Sequence, residues 1–362
     1  MLQRTQPAAA HLLGFAQSLR GGGVERVLLR LAGDWQAAGS RMTLVIGSCE
    51  GPLAAELPPG VAVREIGDAG YGVLRARLPG LVREIGPDAI FCPGNHYTGI
   101  AAWCRLRLGQ ACPPIVAKVS NALVRPDMGG LEAWGYRRWL RLHPRFLDAV
   151  VAMTPGMAAE AVREMRIDPA RVRVIANPAP RARAGASVEG MPAARYLIGV
   201  GRLEPQKRWE RAIAALARLA DRDVRLVILG EGSQRGALEA QVAALGLGER
   251  VLLPGYAADP LPAIAGAALV VLTSDFEGVP GVVREALSVG TPVVATDAGA
   301  VRELIASPAQ GTVVAREDGD ALVAAIEAWL APGAVRPAPV EAGDDPAAAY
   351  LALFESLVQR SR

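Results

Sequence analysis

Lysine is almost absent from this chain of 362 residues, and cysteine, histidine and aromatic residues are also scarce. Only Lys118 and Lys207 occur among the 39 basic residues, so every other basic residue is arginine. An ammonium is a compact point charge, whereas a guanidinium is a planar fork with several donors. A lysine in such a chain therefore indicates a position where a point charge is needed.

The few cysteines and the short apolar runs exclude several classes of protein. The four cysteines, Cys49, Cys92, Cys104 and Cys112, have neither CxxC nor metal-site spacing, which predicts buried free thiols and no metal site. No apolar run approaches the ~20 residues of a membrane-spanning helix. The run from Ala8 to Leu13 is too short, and too soon followed by Gly-rich sequence, for a signal peptide. We therefore expect a cytoplasmic protein.

Length and charge suggest two domains with different partners. A chain of 362 residues exceeds what one hydrophobic core usually serves. Residues 1–180 contain 21 Arg and Lys against 14 Asp and Glu, so the first half is basic. This charge suggests an acidic or membrane-bound partner for that half.

Strands alternate with helices along both halves, which predicts two doubly wound parallel sheets. The Pro-rich stretch from Asn177 to Pro192 has no apolar period and predicts a linker. We predict a first domain over 1–178, a linker over 179–192, a second domain over 193–345 and a final helix over 346–362. The predicted strands are His11 to Ala16, Met42 to Gly47, Val61 to Ile66, Ala89 to Cys92, Ile115 to Val119, Ala149 to Met153, Tyr196 to Gly201, Val224 to Leu229, Val251 to Leu253, Ala267 to Leu272, Val293 to Thr296 and Thr312 to Val314.

The stretch from Ser274 to Ala300 has the most informative pattern. A buried strand is followed by a loop with Glu277, a short helix with Glu285, and a further strand. Ligands of open α/β sheets bind at the carboxyl ends of the strands, and the N–H groups that begin a helix favour an anion. Arg202 and Lys207 follow the strand from Tyr196 to Gly201, so they face the same edge. Such cations can neutralise a diphosphate leaving group without a metal.

The two glutamates have three interpretations. They can be a helix-capping acid and a solvated side chain, or the paired carboxylates of a glycosidase. As ligands of sugar and ribose hydroxyls beside a diphosphate, they agree with the neighbouring cations and the helix start. We favour this third interpretation.

Arg202, Lys207 and the spacing Glu277-x₇-Glu285 resemble the donor-binding signature of the retaining family 4 glycosyltransferases, which have the GT-B fold. The similarity covers nearly the whole chain, including the Gly-rich loop from Gly21 to Arg26 and a pre-linker strand from Val174 to Pro178. It implies two Rossmann-like domains that face each other across a cleft, with the last helix returning to the first domain.

The resemblance also implies roles for individual residues. Arg202 and Lys207 would hold the diphosphate, Glu285 the ribose hydroxyls and Glu277 the transferred sugar. The remaining donor-binding positions would be Gly22, Gly23, Gly230, Gly232, Gly281, Val282 and Val283. The donor would be a UDP- or GDP-linked sugar, and the acceptor a glycan, a lipid or another small molecule. The basic charge of the first half suggests a cell-envelope glycan or lipid as the acceptor, and nothing in the sequence suggests a metal site or a cofactor.

One departure from the family lies after the strand Ile115 to Val119, where many relatives have a histidine and this chain has Ser120 and Asn121. Asn121 or Ser120 could take over the hydrogen bond to the sugar, or His96 could reach in from the preceding loop. We interpret His11 and His143 as structural.

Two further signals have competing interpretations. Gly230-Glu231-Gly232 begins like a dinucleotide fingerprint, but Gly236 is one residue late, so a dehydrogenase is disfavoured. The segment from Trp134 to Phe146 interleaves arginines with apolar residues. It fits either a helix packed on the first domain or a contact with an anionic membrane at the inner face. No nucleic-acid-binding module is recognisable.

Rival functions with the same architecture are a sugar-nucleotide epimerase, a phosphorylase and a catalytically silent subunit. A phosphorylase would need a cofactor lysine that two lysines do not readily supply. A silent subunit stays open because Ser120 replaces the expected histidine.

Overall fold

The structure is a computed structural model that describes residues 10–124, 128–178, 188–341, 343 and 345–361. The chain divides into two compact units, one formed by Met1–Pro178 with Asp344–Arg362 and the other by Ala179–Gly343. Most of the predicted linker, 179–187, lies outside the described residues.

Each unit contains one sheet in which all pairings are parallel. The predicted pair of doubly wound, Rossmann-like domains is therefore confirmed. The strand order is β3-β2-β1-β4-β5-β6-β7 in the first unit and β10-β9-β8-β11-β12-β13 in the second. The strands are β1 (His11–Ser18), β2 (Arg41–Ser48), β3 (Ala62–Glu65), β4 (Ala89–Cys92), β5 (Ile115–Lys118), β6 (Ala149–Ala152), β7 (Val172–Val174), β8 (Tyr196–Val200), β9 (Arg225–Leu229), β10 (Val251–Gly255), β11 (Leu269–Leu272), β12 (Val293–Thr296) and β13 (Gly311–Val314).

Helices connect these strands and cover the sheets. They are α1 (Gly23–Ala37), α2 (Tyr71–Ile85), α3 (Thr98–Leu108), α4 (Gly130–Leu140), α5 (Pro155–Met165), α6 (Trp209–Arg218), α7 (Arg235–Ala244), α8 (Leu261–Gly266), α9 (Gly281–Ser288), α10 (Val301–Leu304), α11 (Gly319–Leu330) and α12 (Pro346–Ser361). In the second unit, one core contains residues of α6, α7 and α11, and a separate core contains residues of α8, α9 and α10. The second sheet is thus covered on both faces.

The predicted strands agree with the observed ones to within two residues at each end. The pre-linker strand is the exception, because it spans Val172–Val174 and ends where the predicted strand, Val174 to Pro178, begins. Val172–Val174 pairs with β6 at the edge of the sheet, whereas the following segment leads into Pro178. Proline has no N–H for a ladder, so it marks where pairing stops.

The last helix packs on the first unit, as predicted. Tyr350 and Phe354 of α12 contact Trp35 of α1, with ring centroids 5.5 and 5.4 Å away and the rings nearly perpendicular. Phe91 of β4 completes this aromatic cluster, 5.2 Å from Trp35. Edge-to-face rings of this kind add to the energy of area burial.

The strand order reverses once in each sheet, between β1 and β4 in the first and between β8 and β11 in the second. Chain segments that leave the sheet at such a switch point turn to opposite faces, which opens a crevice beyond the carboxyl ends of the two strands. The loops after these four strands are therefore the places to look for a site.

Candidate functional site

A buried ion pair lies at the switch point of the second sheet. Lys207, which ends a short 3₁₀ turn after β8, donates from its Nζ to Glu277 Oε1 at 2.6 Å. Glu277 lies in the loop between β11 and α9. Side-chain exposure is only 15% for Lys207 and 10% for Glu277, so the two charges are largely removed from water. Burial is costly for either charge alone, and each compensates the other. The chain's rare lysine thus contacts the first of its two signature glutamates.

Ser274 fixes the orientation of the Glu277 carboxylate. Its hydroxyl donates to the same oxygen, Oε1, at 2.6 Å, and Ser274 itself is fully buried. Among the described residues, neither the second oxygen of Glu277 nor two of the three N–H groups of Lys207 has a protein partner. One oxygen is thus used for positioning, and the other, with the ammonium, can bind a ligand.

Hydrogen bonds join the Lys207 loop to the Glu277 loop. Thr273 Oγ1 lies 3.0 Å from the carbonyl of Lys207, Gln206 Nε2 donates to the carbonyl of Phe276 at 2.6 Å, and Asp275 N donates to the carbonyl of Gln206 at 2.9 Å. The two loops lie side by side because β8 and β11 are neighbouring parallel strands. The ion pair is therefore held by backbone contacts as well as by its own charges.

Two glycines of this region make room for the side chains that follow β8. A Cβ at Gly199 would lie 2.4 Å from the Trp209 ring, and one at Gly201 would lie 3.1 Å from Lys207 Cε. Trp209 is 1% exposed and donates from its indole nitrogen to the carbonyl of Arg202 at 3.0 Å. The side chains of Trp209 and Lys207 thus pack directly against the backbone at these two glycines, and this packing fixes the conformation of the loop after β8.

Glycines in the loops after β9 and β12 allow the same kind of close approach. A Cβ at Gly230 would lie 2.0 Å from the Gly201 carbonyl oxygen, and one at Gly232 would lie 2.4 Å from that of Leu203. Gly299 has φ +63° and approaches the carbonyl of Glu277 in the same way. Gly230 and Gly232 therefore have a packing role, and nucleotide binding by them stays a prediction.

Helix α9 places the remaining predicted donor-binding residues. Gly281 is its first residue, followed by the buried Val282 and Val283, and no side chain caps its N-terminus. Glu285 lies half-buried in the second turn of this helix. The helix start, which no side chain caps, comes four residues after Glu277, so the Glu277 carboxylate and a helix start of the kind that favours an anion belong to one chain segment.

Arg202 lies near this group, but its side chain is exposed. Next to it, Glu204 accepts hydrogen bonds from the Ser233 backbone and hydroxyl at 3.2 and 2.8 Å. These hydrogen bonds lower the pKa of Glu204, and Arg202 contributes in the same direction. The structure thus places Lys207 and Glu277 in direct contact and leaves Arg202 at the rim.

The predicted residues of the first unit lie after β1, β4 and β5, which are adjacent strands. Gly22 and Gly23 begin α1, and His96 lies in a 3₁₀ turn after β4. Asn95 joins the next loop, because its Oδ1 accepts from Ser120 N at 2.9 Å and its Nδ2 donates to the Asn121 carbonyl at 2.9 Å. The carboxyl edge of the first sheet therefore brings His96, Ser120 and Asn121 together.

The basic segment from Trp134 to Phe146 is not one helix, since α4 ends at Leu140 and a 3₁₀ turn follows at His143–Arg145. Leu140, His143 and Phe146 are buried, which supports packing on the first unit. Trp134 and the neighbouring Leu131 are instead 57% and 84% exposed. Packing on the first unit is thus shown for part of this segment, and the membrane contact stays a prediction. Within the described part of the chain, no helix has the length and apolarity needed to cross a membrane.

Sequence reasoning missed three residues that the structure brings into these sites. Ser274 orients Glu277, Tyr97 donates from its hydroxyl to Glu25 at 3.0 Å, and Glu25 in turn lies beside His96. The available signals were a serine three residues before the loop glutamate and a glutamate three residues after Gly22. Neither spacing distinguishes a site residue from an ordinary cap.

Comparison with known proteins gives the family. Residues 21–183 match the family described as Glycosyltransferase Family 4, and residues 191–343 match the one described as Glycosyl transferases group 1. The chain is 30% identical over 297 residues to 2-deoxystreptamine glucosyltransferase of Streptomyces kanamyceticus, covering 76% of this chain and 74% of that protein. It is 31% identical over 209 residues to the lipopolysaccharide core biosynthesis mannosyltransferase LpcC of Rhizobium leguminosarum bv. viciae, covering 54% and 57% of the two chains.

The fold has a known counterpart as well. The crystal structure of HepE from Anabaena in complex with UDP-glucose has a TM-score of 0.73 with this chain, at 21% identity and with 97% of each chain covered. At that identity the similarity shows the fold alone, the GT-B fold with its two Rossmann-like domains. The two family matches and the similarity to 2-deoxystreptamine glucosyltransferase show the family: the chain belongs to the family 4 glycosyltransferases and is a transferase enzyme.

Proposed function

We propose that this enzyme transfers a sugar from a nucleotide-diphosphate sugar to an acceptor hydroxyl, with retention of the anomeric configuration and without a metal ion. The observation that carries the proposal is the contact between Lys207 Nζ and Glu277 Oε1 at 2.6 Å, beside the uncapped start of α9. Positive charge for a diphosphate and an oriented carboxylate for a sugar hydroxyl are thereby adjacent. UDP-glucose in the structure of HepE is consistent with a donor of this class.

The second unit supplies the donor roles in this proposal. Lys207, with Arg202 at the rim, binds the diphosphate and stabilises the charge that develops as the bond to the sugar breaks. The N–H groups at Gly281 and Val282 add to that stabilisation, whereas Val283 N donates to the Pro280 carbonyl at 3.2 Å. Glu285, in the second turn of α9, binds the ribose hydroxyls. The base of the donor is uracil or guanine.

Glu277 orients the sugar in this mechanism and does not attack it. Its Oε1 is occupied by the Lys207 ammonium and the Ser274 hydroxyl, both at 2.6 Å, which lowers the nucleophilicity of the carboxylate. Oε2 accepts a hydrogen bond from a sugar hydroxyl. The acceptor then approaches on the face that the leaving phosphate vacates, and the phosphate takes the acceptor proton, which gives retention.

The acceptor proposed here is a glycan or lipid of the cell envelope, and α4 with the turn after it makes the membrane contact. Leu131 and Trp134 are exposed apolar side chains, and Arg138 lies over the Trp134 ring with its Cζ 5.1 Å from the ring centroid. Arg141 and Arg145 are exposed nearby. Aromatic and basic residues together suit the headgroup region of an anionic bilayer. LpcC, which is named for lipopolysaccharide core biosynthesis, is consistent with such an acceptor.

The test of the function is incubation of the protein with a panel of UDP- and GDP-linked sugars. Slow release of free nucleotide supports a transferase, an isomerised donor supports an epimerase, and absence of any binding supports a silent subunit. We expect nucleotide release with one donor of the panel, and loss of that release in both Lys207→Ala and Glu285→Ala. Unchanged turnover in both variants would refute the site.

Stereochemistry and metal dependence have separate readouts. Proton NMR of the first-formed product gives its anomeric configuration, and an inverted anomer contradicts the proposed mechanism. Activity that survives exhaustive chelation with EDTA agrees with charge stabilisation by Lys207 and Arg202. Activity that disappears and returns with Mg²⁺ or Mn²⁺ contradicts it.

Membrane contact is tested by co-sedimentation with vesicles. Binding to phosphatidylglycerol vesicles should fall in Trp134→Ala and in Arg138→Gln, and it should be weak on phosphatidylcholine vesicles at the same salt. Equal binding of all proteins to both vesicle types contradicts a membrane contact through α4.

A further inference from the structure

A second charged cluster lies at the switch point of the first sheet, between the loops that follow β1 and β4. Glu25 is in the first turn of α1, and its Oε1 accepts the Tyr97 hydroxyl at 3.0 Å. His96 Nε2 lies 3.9 Å from the same oxygen. This position in the first unit corresponds to that of Lys207 and Glu277 in the second, where a crevice beyond the strand ends admits a ligand.

The cluster has a fixed direction of hydrogen bonding. Gln17 N donates to Tyr97 Oη at 2.9 Å, so the hydroxyl proton of Tyr97 is left to donate to Glu25. Tyr97 is 1% exposed and packs edge-on against Phe15 at 5.6 Å. One carboxylate oxygen of Glu25 is therefore held between a buried phenol and the imidazole.

Gly22 leaves room for the other carboxylate oxygen. A Cβ at Gly22 would lie 2.3 Å from Glu25 Oε2, so the carboxylate folds back onto the bare backbone at the start of α1. The triple glycine of the sequence thus gives Glu25 the room to turn toward His96. This explains on packing grounds why glycine occupies position 22, besides any contact of that loop with a ligand.

The imidazole is the outermost member of the cluster. The side chain of His96 is 50% exposed, against 14% for Glu25. Its ring lies on Tyr97, with centroids 3.9 Å apart. A half-buried carboxylate behind an exposed imidazole leaves the imidazole as the group that can contact a substrate hydroxyl.

The pKa of His96 depends on burial and on the ionisable groups of this cluster. Burial lowers the pKa of His96, and the Glu25 carboxylate acts in the opposite direction and raises it. Tyr97 and Cys92 stay neutral, because burial raises the pKa of Tyr97 and raises that of Cys92 to about 12. Ser120 and Asn121 of the neighbouring loop carry no charge. Glu25 is thus the charged group in this cluster that opposes the effect of burial on the imidazole.

We propose that Glu25 is a positioning residue for His96, and that the pair forms the hydroxyl-binding element of the first unit, which takes the place of the missing histidine at Ser120. The pair binds a hydroxyl of the acceptor: the His96 ring contacts that hydroxyl, and Glu25 orients the ring. The assignment rests on the proposed glycosyl transfer, and its first test does not need substrate.

The first test is a histidine titration followed by NMR. The chain has three histidines, and His11 and His143 are 6% and 1% exposed, so His96→Gln assigns the His96 signal directly. We expect Glu25→Gln to lower the pKa of His96 by about one unit or more, because a carboxylate ~4 Å away stabilises the imidazolium. Glu132→Gln is the matched control, since Glu132 is also the third residue of a helix. It should leave that pKa unchanged.

The second test is kinetic and uses the full-length enzyme with its best donor. We expect His96→Gln to lower kcat/KM by about tenfold or more, with donor KM nearly unchanged. Adding Glu25→Gln to His96→Gln should cost little further, because Glu25 acts through His96. A His96 pKa that does not move in Glu25→Gln, or losses that simply multiply, overturns the proposal. Failure to turn over any nucleotide sugar instead defeats the proposed function and leaves the titration to decide the Glu25 assignment.

Discussion

Removal of the Lys207 ammonium should both destabilise the second unit and slow the reaction. Breaking a buried pair by removing one partner costs about 3–5 kcal/mol, since the other charge stays buried and uncompensated. The Ser274 hydroxyl still donates to Glu277 in Lys207→Ala, so we expect the lower part of that range, about 3 kcal/mol. For a unit of this size, each kcal/mol lowers Tm by about 2–4 °C, which gives a fall of about 6–12 °C.

The effect on catalysis follows from the same ammonium. A charge-assisted hydrogen bond is worth about 1.5–3 kcal/mol, so kcat/KM should fall by roughly tenfold to a few hundredfold in Lys207→Ala. If Lys207 acts on the leaving diphosphate, the loss should appear chiefly in kcat.

The assay combines thermal unfolding with turnover of the best nucleotide sugar. Arg218→Ala is the matched control, because it also removes one cation from the second unit but breaks an exposed pair with Asp320. An exposed pair is worth about 0–1 kcal/mol, so the control should keep its Tm and activity nearly unchanged. Glu277→Gln combined with Lys207→Ala should be less destabilising than the two separate losses predict, because no buried charge remains. A Lys207→Ala variant that matches Arg218→Ala in both measurements refutes the reasoning.

Two further predictions concern pH and backbone packing. Burial lowers the pKa of His143 to about 4, so the folded state keeps this imidazole neutral while the unfolded chain binds a proton below about pH 6.5. The contribution of the neutral His143 to the free energy of unfolding is thus complete above pH 6.5, and it decreases by up to about 3 kcal/mol as pH falls toward 4. In denaturant unfolding, the free energy of unfolding of His143→Gln should depend less steeply on pH in this range, and an identical slope for both proteins would contradict the prediction. Gly230→Ala, whose Cβ would lie 2.0 Å from the Gly201 carbonyl oxygen, should lower the free energy of unfolding by at least about 2 kcal/mol. Gly236→Ala, which has nothing within 4 Å in α7, should raise it by about 0.5–1 kcal/mol, so equal Tm values for the two variants would exclude the packing role.

Much of the fold can be predicted from the sequence, because strands of a buried parallel sheet are short apolar runs between turn residues. The strands at Ala89–Cys92 and Val293–Thr296 agree with the prediction at both ends. Helices α3, α5, α8 and α10 were not predicted. Helix α3 has arginines near its end and only a weak apolar period, and α8 and α10 have only six and four residues. The pre-linker strand was placed too late, because the apolar Val174 and Ile175 are followed by a proline that ends the pairing.

In the second unit, Lys207 and Glu277 could both be singled out from the sequence, whereas in the first unit His96 was a candidate and its partners Glu25 and Tyr97 were not. Lys207 and Glu277 stand out by residue type and by following apolar strands, so they could be expected at one edge. Their direct contact, across 70 residues, depends on β8 lying beside β11. The pairing of Glu25 with Tyr97, across 72 residues, has no local pattern at all.

Short-range periodicity and residue chemistry are enough to predict most of the strands, the parallel class of the two sheets and the loop residues that carry charge. Which loops come together depends on the order of the strands in each sheet. Strand order depends on contacts between segments that are far apart in the sequence, and it places β1 beside β4 and β8 beside β11. This strand order brings Lys207, Ser274 and Glu277 into one hydrogen-bonded group, and it places the Glu25 carboxylate beside His96.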